Sequence, residues 1–475
     1  MLSWFRNGGC SNSDASHRQK STIVWRGLGA FALLCSVGVV VRAQDVPPGI
    51  IARLDVTQRL EYSDNPGLDV DGDSDFFGRT ILGFGLESVT SIQRLSLNLG
   101  TDIEQFRDDN DQDFDFDNSF ANLNYNRQTR DAFFRGGLRY RETDADSDFF
   151  DDDDIDQDGR IINRNEGTRV SYGYSLSGGI GQDAPIGASF DWFYNEINYE
   201  DTDDPGLNDS TRNELSGQVD FVITPRVTTS LTGIYRDFDT DDPDGTDRET
   251  KGLGGAASFL VSDILTANIG LRYDRIERTG GTDRTDEGVS GDLSLTRALP
   301  NGSVGVNYAS DVFANDDGRR SFFSVNRDMD LPRGALFFSL GVTGADAVGS
   351  DPLIDANYRH DLPTGQLNFG LSQRVNVDED DEENIASSLR ASYDQQINSL
   401  SSYGVNFSFF NRNELGDDAN DGQRYNLGLT YRYDLTRDWG LVSGITHTFS
   451  TEDDEEDRRR TTVFVGLQRS FNWNP

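Results

Sequence analysis

The chain has 475 residues, with 43 basic against 82 acidic side chains, a formal charge of −39, and only 35 % hydrophobic residues. That acidity excludes a nucleic-acid partner, because phosphate binding needs clustered Lys and Arg, and it favours divalent cations or basic surfaces. Both cysteines, Cys10 and Cys35, lie in the first 43 residues, so neither disulfides nor a cysteine metal site hold the remainder together.

Residues 1–43 read as a secretory signal peptide. Arg18, Lys20 and Arg26 precede an apolar stretch from Leu28 to Val41, and Val41-Arg42-Ala43 puts small residues at the cleavage positions. The stretch is short for a helix that must span a bilayer with about 20 residues. Cutting before Gln44 leaves residues 44–475 as one domain. Five of the basic and one of the acidic residues leave with the leader, so the mature part carries −43. The segment between Gln44 and Ile50 is too short for a separate plug or soluble domain ahead of the first strand.

From Ile50 onward the chain alternates apolar with small or polar residues. Val170-Tyr172-Tyr174-Leu176 interleaves with Ser171, Gly173 and Ser175, and Leu265-Ala267-Ile269-Leu271-Tyr273 with Thr266, Asn268, Gly270 and Arg272. Leu367, Phe369 and Leu371 alternate with Asn368 and Gly370, and Tyr425-Leu427-Leu429-Tyr431-Tyr433 with Asn426, Gly428, Thr430 and Arg432. Period two means a strand with one apolar and one wet face. About 22 such segments predict an all-β fold: a transmembrane antiparallel up-and-down β-barrel in a Gram-negative outer membrane, with lipid on one face and lumenal water on the other. This resolves the low apolar content, which would mark a soluble chain as disordered or halophilic.

Connections alternate between two kinds. Leu299-Pro300-Asn301-Gly302, Leu331-Pro332-Arg333-Gly334 and Leu362-Pro363-Thr364-Gly365 share an L-P-x-G pattern, in which proline presets the second position of a tight turn and glycine suits the fourth. Ala184-Pro185 and Thr224-Pro225 play the same part. The others are long and acidic: 64–75, 107–117, 142–160, 237–247, 378–383 and 452–457. Barrels keep short turns on the periplasmic side and long loops outside. Trp192, Trp439 and Trp473 all fall towards the periplasmic interface, where aromatic girdles form. The closing run, with Phe464, Phe471 and Trp473, resembles the C-terminal signal by which such barrels are recognised for insertion, so lipid, lipopolysaccharide and the barrel assembly machinery are the expected partners, and the barrel is expected as a monomer or trimer.

Three constellations could carry chemistry. Asp154, Asp156 and Asp158, followed by Gly159, alternate as oxygen ligands of a calcium loop do, although position twelve is Asn165 and the alternative is a solvated acidic loop. Asp69, Asp71, Asp73 and Asp75 form a looser version. Arg135, Arg139, Arg141, Arg272 and Arg432 sit on polar faces and either form a basic ladder that selects anions or pair with wall carboxylates such as Asp274 and Asp434. Finally, His360 and His447 are the only histidines beyond the leader, with no neighbouring motif that places a base. No catalytic residue and no cofactor other than calcium in the acidic loops are expected.

The opening Thr57-Gln58-Arg59-Leu60-Glu61-Tyr62-Ser63-Asp64-Asn65-Pro66, an acidic loop, and then Thr80-Ile81-Leu82-Gly83-Phe84-Gly85-Leu86 resemble the proteobacterial barrels grouped as beta-barrel porins of type 2. The resemblance implies an outer-membrane barrel with a porin or polysaccharide-accessory role. Passive diffusion of small polar solutes or ions is the leading expectation. The alternatives are an accessory barrel for exopolysaccharide export, and a structural surface barrel whose acidic loops bridge through cations to lipopolysaccharide.

Overall fold

A chain whose side chains alternate between two solvents must pair all its backbone groups in a closed ladder, because hydrocarbon leaves no water to satisfy an open edge. The computed structural model describes residues 49–68, 70–105, 114–144, 167–202, 207–242, 245–280, 283–312, 319–345, 349–377, 383–414, 422–452 and 456–473. The predicted leader, Asp69 and the 154–158 loop lie outside them.

Twenty-two strands follow one another around the wall. The first eight are β1 (Gly49–Ser63), β2 (Asp75–Val89), β3 (Gln93–Gln105), β4 (Phe114–Gln128), β5 (Ala132–Asp144), β6 (Thr168–Ile180), β7 (Ile186–Glu200) and β8 (Ser210–Thr224). Next come β9 (Val227–Thr240), β10 (Asp247–Ser262), β11 (Leu265–Thr279), β12 (Arg284–Leu299), β13 (Gly302–Val312), β14 (Arg319–Leu331) and β15 (Gly334–Ala345). The wall is completed by β16 (Gly349–Leu362), β17 (Gly365–Val377), β18 (Glu383–Asn398), β19 (Ser401–Glu414), β20 (Gly422–Asp434), β21 (Trp439–Glu452) and β22 (Arg458–Trp473). Each pairs antiparallel with its sequence neighbours, and β1 pairs with β22 from Ala52↔Trp473 to Ser63↔Thr462, which closes the barrel.

The L-P-x-G segments form the β12–β13, β14–β15 and β16–β17 turns. Their glycines answer a second demand besides turn position. Gly302 and Gly334 adopt φ of +122° and +146°, and a Cβ there would meet the carbonyl oxygens of Asp328 and Arg359 at 2.1 and 1.9 Å. Only glycine tolerates both the backbone angle and the approach.

The acidic segments are shorter as loops than the sequence suggests. Asp237 and Asp239 belong to β9, and Asp115 and Asp117 to β4. The reason is length: a 15-residue strand tilted as barrel strands are rises about 40 Å, more than an apolar band of about 25 Å. The ladder therefore continues into water, where charge on either face costs little.

Exposure separates the faces. Leu60 and Tyr62 on β1, Leu271 and Tyr273 on β11, Leu427 and Leu429 on β20, and Val463 and Val465 on β22 are exposed, and register places them in line across neighbouring strands. This is the convex, lipid-facing surface. The opposite parity holds buried charged and polar groups such as Glu61, Glu214, Asp274 and Arg320, crowded on the concave wall. Trp439 and Trp473 have the outward parity at the turn-side end and Trp192 has it near mid-strand on β7, and Arg469 lies over the rings of both Trp439 and Phe471. At the loop-side end the outward surface carries tyrosines whose hydroxyls donate to glutamates: Tyr140 to Glu142 and Tyr194 to Glu196 at 2.8 Å, and Tyr235 to Glu249 at 3.1 Å. Tyrosine suits this level because its ring tolerates lipid while its hydroxyl needs a polar partner.

The barrel lumen as candidate functional site

The inward parity of the strands builds the one continuous polar surface that crosses the apolar band. Among the described residues, ion clusters stud its loop-side half, and three of them lie close to mid-height. In the first, Arg79 of β2 reaches Glu61 of β1 at 3.7 Å, Asp102 of β3 at 3.6 Å, and Glu104. Arg59 stands beside them, 3.9 Å from Glu61 and over the ring of Phe464 from β22. In the second, Glu214 of β8 sits between Arg212 and Arg236, each at 3.0 Å. In the third, Arg272 of β11 binds Asp274 at 2.6 Å and reaches Asp311 at 4.0 Å, while the Ser290 hydroxyl donates to Asp274 at 2.6 Å.

All five arginines singled out in the sequence have lumenal parity, but their surroundings differ. Arg272 is held by carboxylates. Arg135, Arg139 and Arg141 run up β5, in register with Asn126, Asn122 and Phe120 on β4 and with Ser177, Gly173 and Ser171 on β6, and the charge of Arg135 reaches Asp191 of β7. Arg135 stacks over Phe133. Arg432 of β20 shares its strand face with Asp434 and lies opposite Ser402 and Val442. The two histidines have the outward parity: His447 meets the Thr461 hydroxyl at 3.1 Å, and His360 stacks on Tyr358. Asp154, Asp156 and Asp158 lie outside the described residues. Among the described residues no group of three or more His, Cys, Asp or Glu side chains is placed to hold a metal ion.

The ion pairs left a trace that the alternation pattern alone does not use. Arg53–Asp55, Arg212–Glu214, Arg272–Asp274, Arg284–Asp286 and Arg359–Asp361 are all R-x-D/E pairs at 2.6 to 3.1 Å. Residues two apart on a strand share a face about 6.7 Å apart, a gap an arginine spans.

Between and below these clusters the wall is thin. Large inward side chains lie over inward glycines of the adjacent strand: Phe120 over Gly100, Asp292 over Gly270 and Asn406 over Gly428, each within 2.3 Å of where a Cβ would stand. These side chains lie flat against the wall. On β14 to β19 this produces a shallow groove of about 580 Å³. Register makes one edge of it a cross-strand row, Asp328, Phe337, Asn357, Gly370, Arg390 and Ser408. A second row of Arg359, Asn368, Ser392 and Asn406 runs beside the first, one step nearer the turns. Arg359 is held by Asp361 at 3.1 Å, and the Asn368 amide donates to the Ser392 hydroxyl at 3.1 Å.

A closed barrel of 22 antiparallel strands with an apolar exterior and a polar interior is a β-barrel of the bacterial outer membrane. No family model matches the chain, and no curated protein does. Solved structures do. The ferric enterobactin receptor PfeA of Pseudomonas aeruginosa, as a Q482A mutant in complex with enterobactin, is 10 % identical over 90 % of this chain and 82 % of that one, with a TM-score of 0.53. The siderophore receptor PirA of Acinetobacter baumannii is 8 % identical over 90 % and 81 %, with a TM-score of 0.53. The FrpB iron transporter of Neisseria meningitidis is 10 % identical over 90 % and 82 %, with a TM-score of 0.54. At these identities the likeness is one of fold.

Proposed function

We propose that this protein is an outer-membrane channel through which small polar solutes and ions diffuse passively, in keeping with the type 2 porin resemblance. The observation that carries the reading is the inner wall: amides, hydroxyls and glycines line much of it among scattered charges of both signs, and several of its buried carboxylates are compensated within ion clusters. A wall of this kind repels neither sign of ion strongly and offers water a continuous path. Arg135, Arg139 and Arg141 of β5 stand on the same lumenal wall, and Arg272 holds it through Asp274.

Planar-bilayer recordings on refolded residues 44–475 test the reading. Stable conductance steps with weak selectivity under a salt gradient are expected. A silent bilayer, with the folded state verified by heat-modifiable migration on a gel, overturns it.

A second reading, an accessory barrel for exopolysaccharide export, is favoured by the groove on β14 to β19, where amides and hydroxyls surround an aromatic ring. Solved relatives in fold are named as siderophore receptors and an iron transporter. A gated receptor for a bulky ligand would give the silent bilayer.

A further inference from the structure

We propose that the groove across the inner wall of β14 to β19 binds a linear, uncharged saccharide. The inference deepens the channel reading, since the ligand reaches the groove only through the lumen.

The groove runs across strands rather than along them. Five strand spacings of about 4.8 Å give it a length of about 24 Å, which suits a chain of several sugar units better than a single one. Its long edge and its neighbouring row present donors and acceptors at the spacing of the strands. A sugar carries hydroxyls that both donate and accept, so it needs a wall that does both. Asparagine supplies an acceptor and two donors in one plane, and serine supplies either. Asn357 and Asn406 are exposed to the lumen, with their side chains lying against Gly370 and Gly428.

Phe337 decides the ligand class. It faces the lumen between Asp328 and Asn357 and lines the groove. A pyranose ring has an apolar C–H face and a polar rim, the complement of an aromatic ring set among amides. An apolar solute would leave the amides unpaired. A strong anion would meet Asp328, and both groove arginines are already engaged, Arg359 by Asp361 and Arg390 by interactions of its own. Because the groove is shallow and open, it suits weak, repeated contacts along a moving chain.

Saturation-transfer NMR on the refolded mature barrel in detergent, with maltohexaose as the probe, tests this. Transfer from protein to sugar is expected, strongest at the ring C–H protons. Phe337→Ala reduces it about fivefold, the loss expected for an aromatic contact, whereas Phe337→Tyr retains it. Phe133→Ala, an inward phenylalanine on β5 outside the groove, leaves it unchanged. Heat-modifiable migration confirms that each variant is folded, and a variant that fails to fold is replaced by Asn357→Ala, which lowers transfer by removing an amide that hydrogen-bonds the sugar hydroxyls. Absence of transfer to wild type, transfer equal in wild type and Phe337→Ala, or equal transfer to a polyethylene glycol of similar length each overturns the proposal. Bilayer recordings on the same preparation separate the two ideas. Open pores without sugar binding sink the groove alone, and sugar binding with silent bilayers sinks the diffusion channel alone.

Discussion

Arg272 Nε lies 2.6 Å from Asp274 Oδ1, two residues along β11 and on the same lumenal face. Asp274 is 2 % exposed and also accepts the Ser290 hydroxyl. The pair therefore neutralises a charge that the sequence offered as part of an anion path. Asp274→Asn is expected to release that charge. The reversal potential under a salt gradient shifts towards anion preference, and urea unfolding shows a loss of about 1–3 kcal/mol from the buried network. An unchanged reversal potential would show that Arg272 does not face the ion path.

The turns carry a sharper prediction. At Gly334 a Cβ would stand 1.9 Å from the Arg359 carbonyl, with φ at +146°. Gly334→Ala should cost about 1–3 kcal/mol, read by urea titration of tryptophan fluorescence. Gly217→Ala is the control, since a Cβ there meets nothing within 4 Å.

At the seam where the barrel closes, the β1–β2 loop is tied to β22. The Asn65 side-chain amide donates to the Arg459 carbonyl at 3.0 Å, the Arg460 guanidinium donates to the Pro66 carbonyl at 2.6 Å, and the Thr461 amide donates to Asp64 at 2.6 Å. Asn65 is buried. Asn65→Ala is expected to raise the hydrogen-exchange rate of the Thr461 amide about tenfold, corresponding to a lost buried hydrogen bond, with little change at the β11–β12 ladder. A uniform rise over both regions would instead indicate global destabilisation.

Asp209, in the connection between β7 and β8, gives a pH test. Burial pushes its carboxyl up, the hydrogen bond from the Tyr199 amide opposes this, and the charges of Asp241 and Glu196 add to the rise. A raised carboxyl favours the protonated folded state. Its contribution is fully present below the ordinary carboxylate value of about 3.9 and is lost as pH rises through the raised one. Asp209→Asn keeps the oxygen that accepts from Tyr199. It should raise the temperature at which the barrel unfolds on a gel at pH 7, and make no difference at pH 3.

The orientation of the barrel can be read from its tryptophans. Trp439 and Trp473 face outward at the turn-side end, and Trp192 faces outward near mid-strand. In bilayers of brominated lipids, bromines near the headgroup should quench a Trp192→Phe variant, which reports on Trp439 and Trp473, more than bromines at the chain end. The reverse order would place these residues at mid-bilayer and shift the wall by several residues.

Much of this architecture was legible in the chain. Val170-Tyr172-Tyr174-Leu176 and Leu427-Leu429-Tyr431 announced which face meets lipid, because side-chain direction on a strand depends on parity alone. The L-P-x-G segments announced the turns because proline and glycine act locally. The lumenal partners were less visible. Arg79 meets carboxylates on two different strands, and only its register with Glu104 and Ile81 with Asp102 brings them together. The loop-side tyrosine girdle had a local trace in Tyr140-Arg141-Glu142 and Tyr194-Asn195-Glu196, which acquires meaning once both residues are seen to face outward.

The sequence by itself determined the strands, their faces, the alternation of short turns with acidic loops, and through these a membrane barrel. These properties follow from period and turn chemistry, which act within a few residues. The tertiary structure decided which side chains become neighbours around the lumen. Phe337 stands beside Asn357, and Arg390 beyond them, only because antiparallel register carries one row across successive strands. Such a row depends on every intervening turn and on bulges like those at Leu260/Ser262 and Gln396/Asn398. A slip of one residue at any of them would turn a strand's lumenal face to lipid.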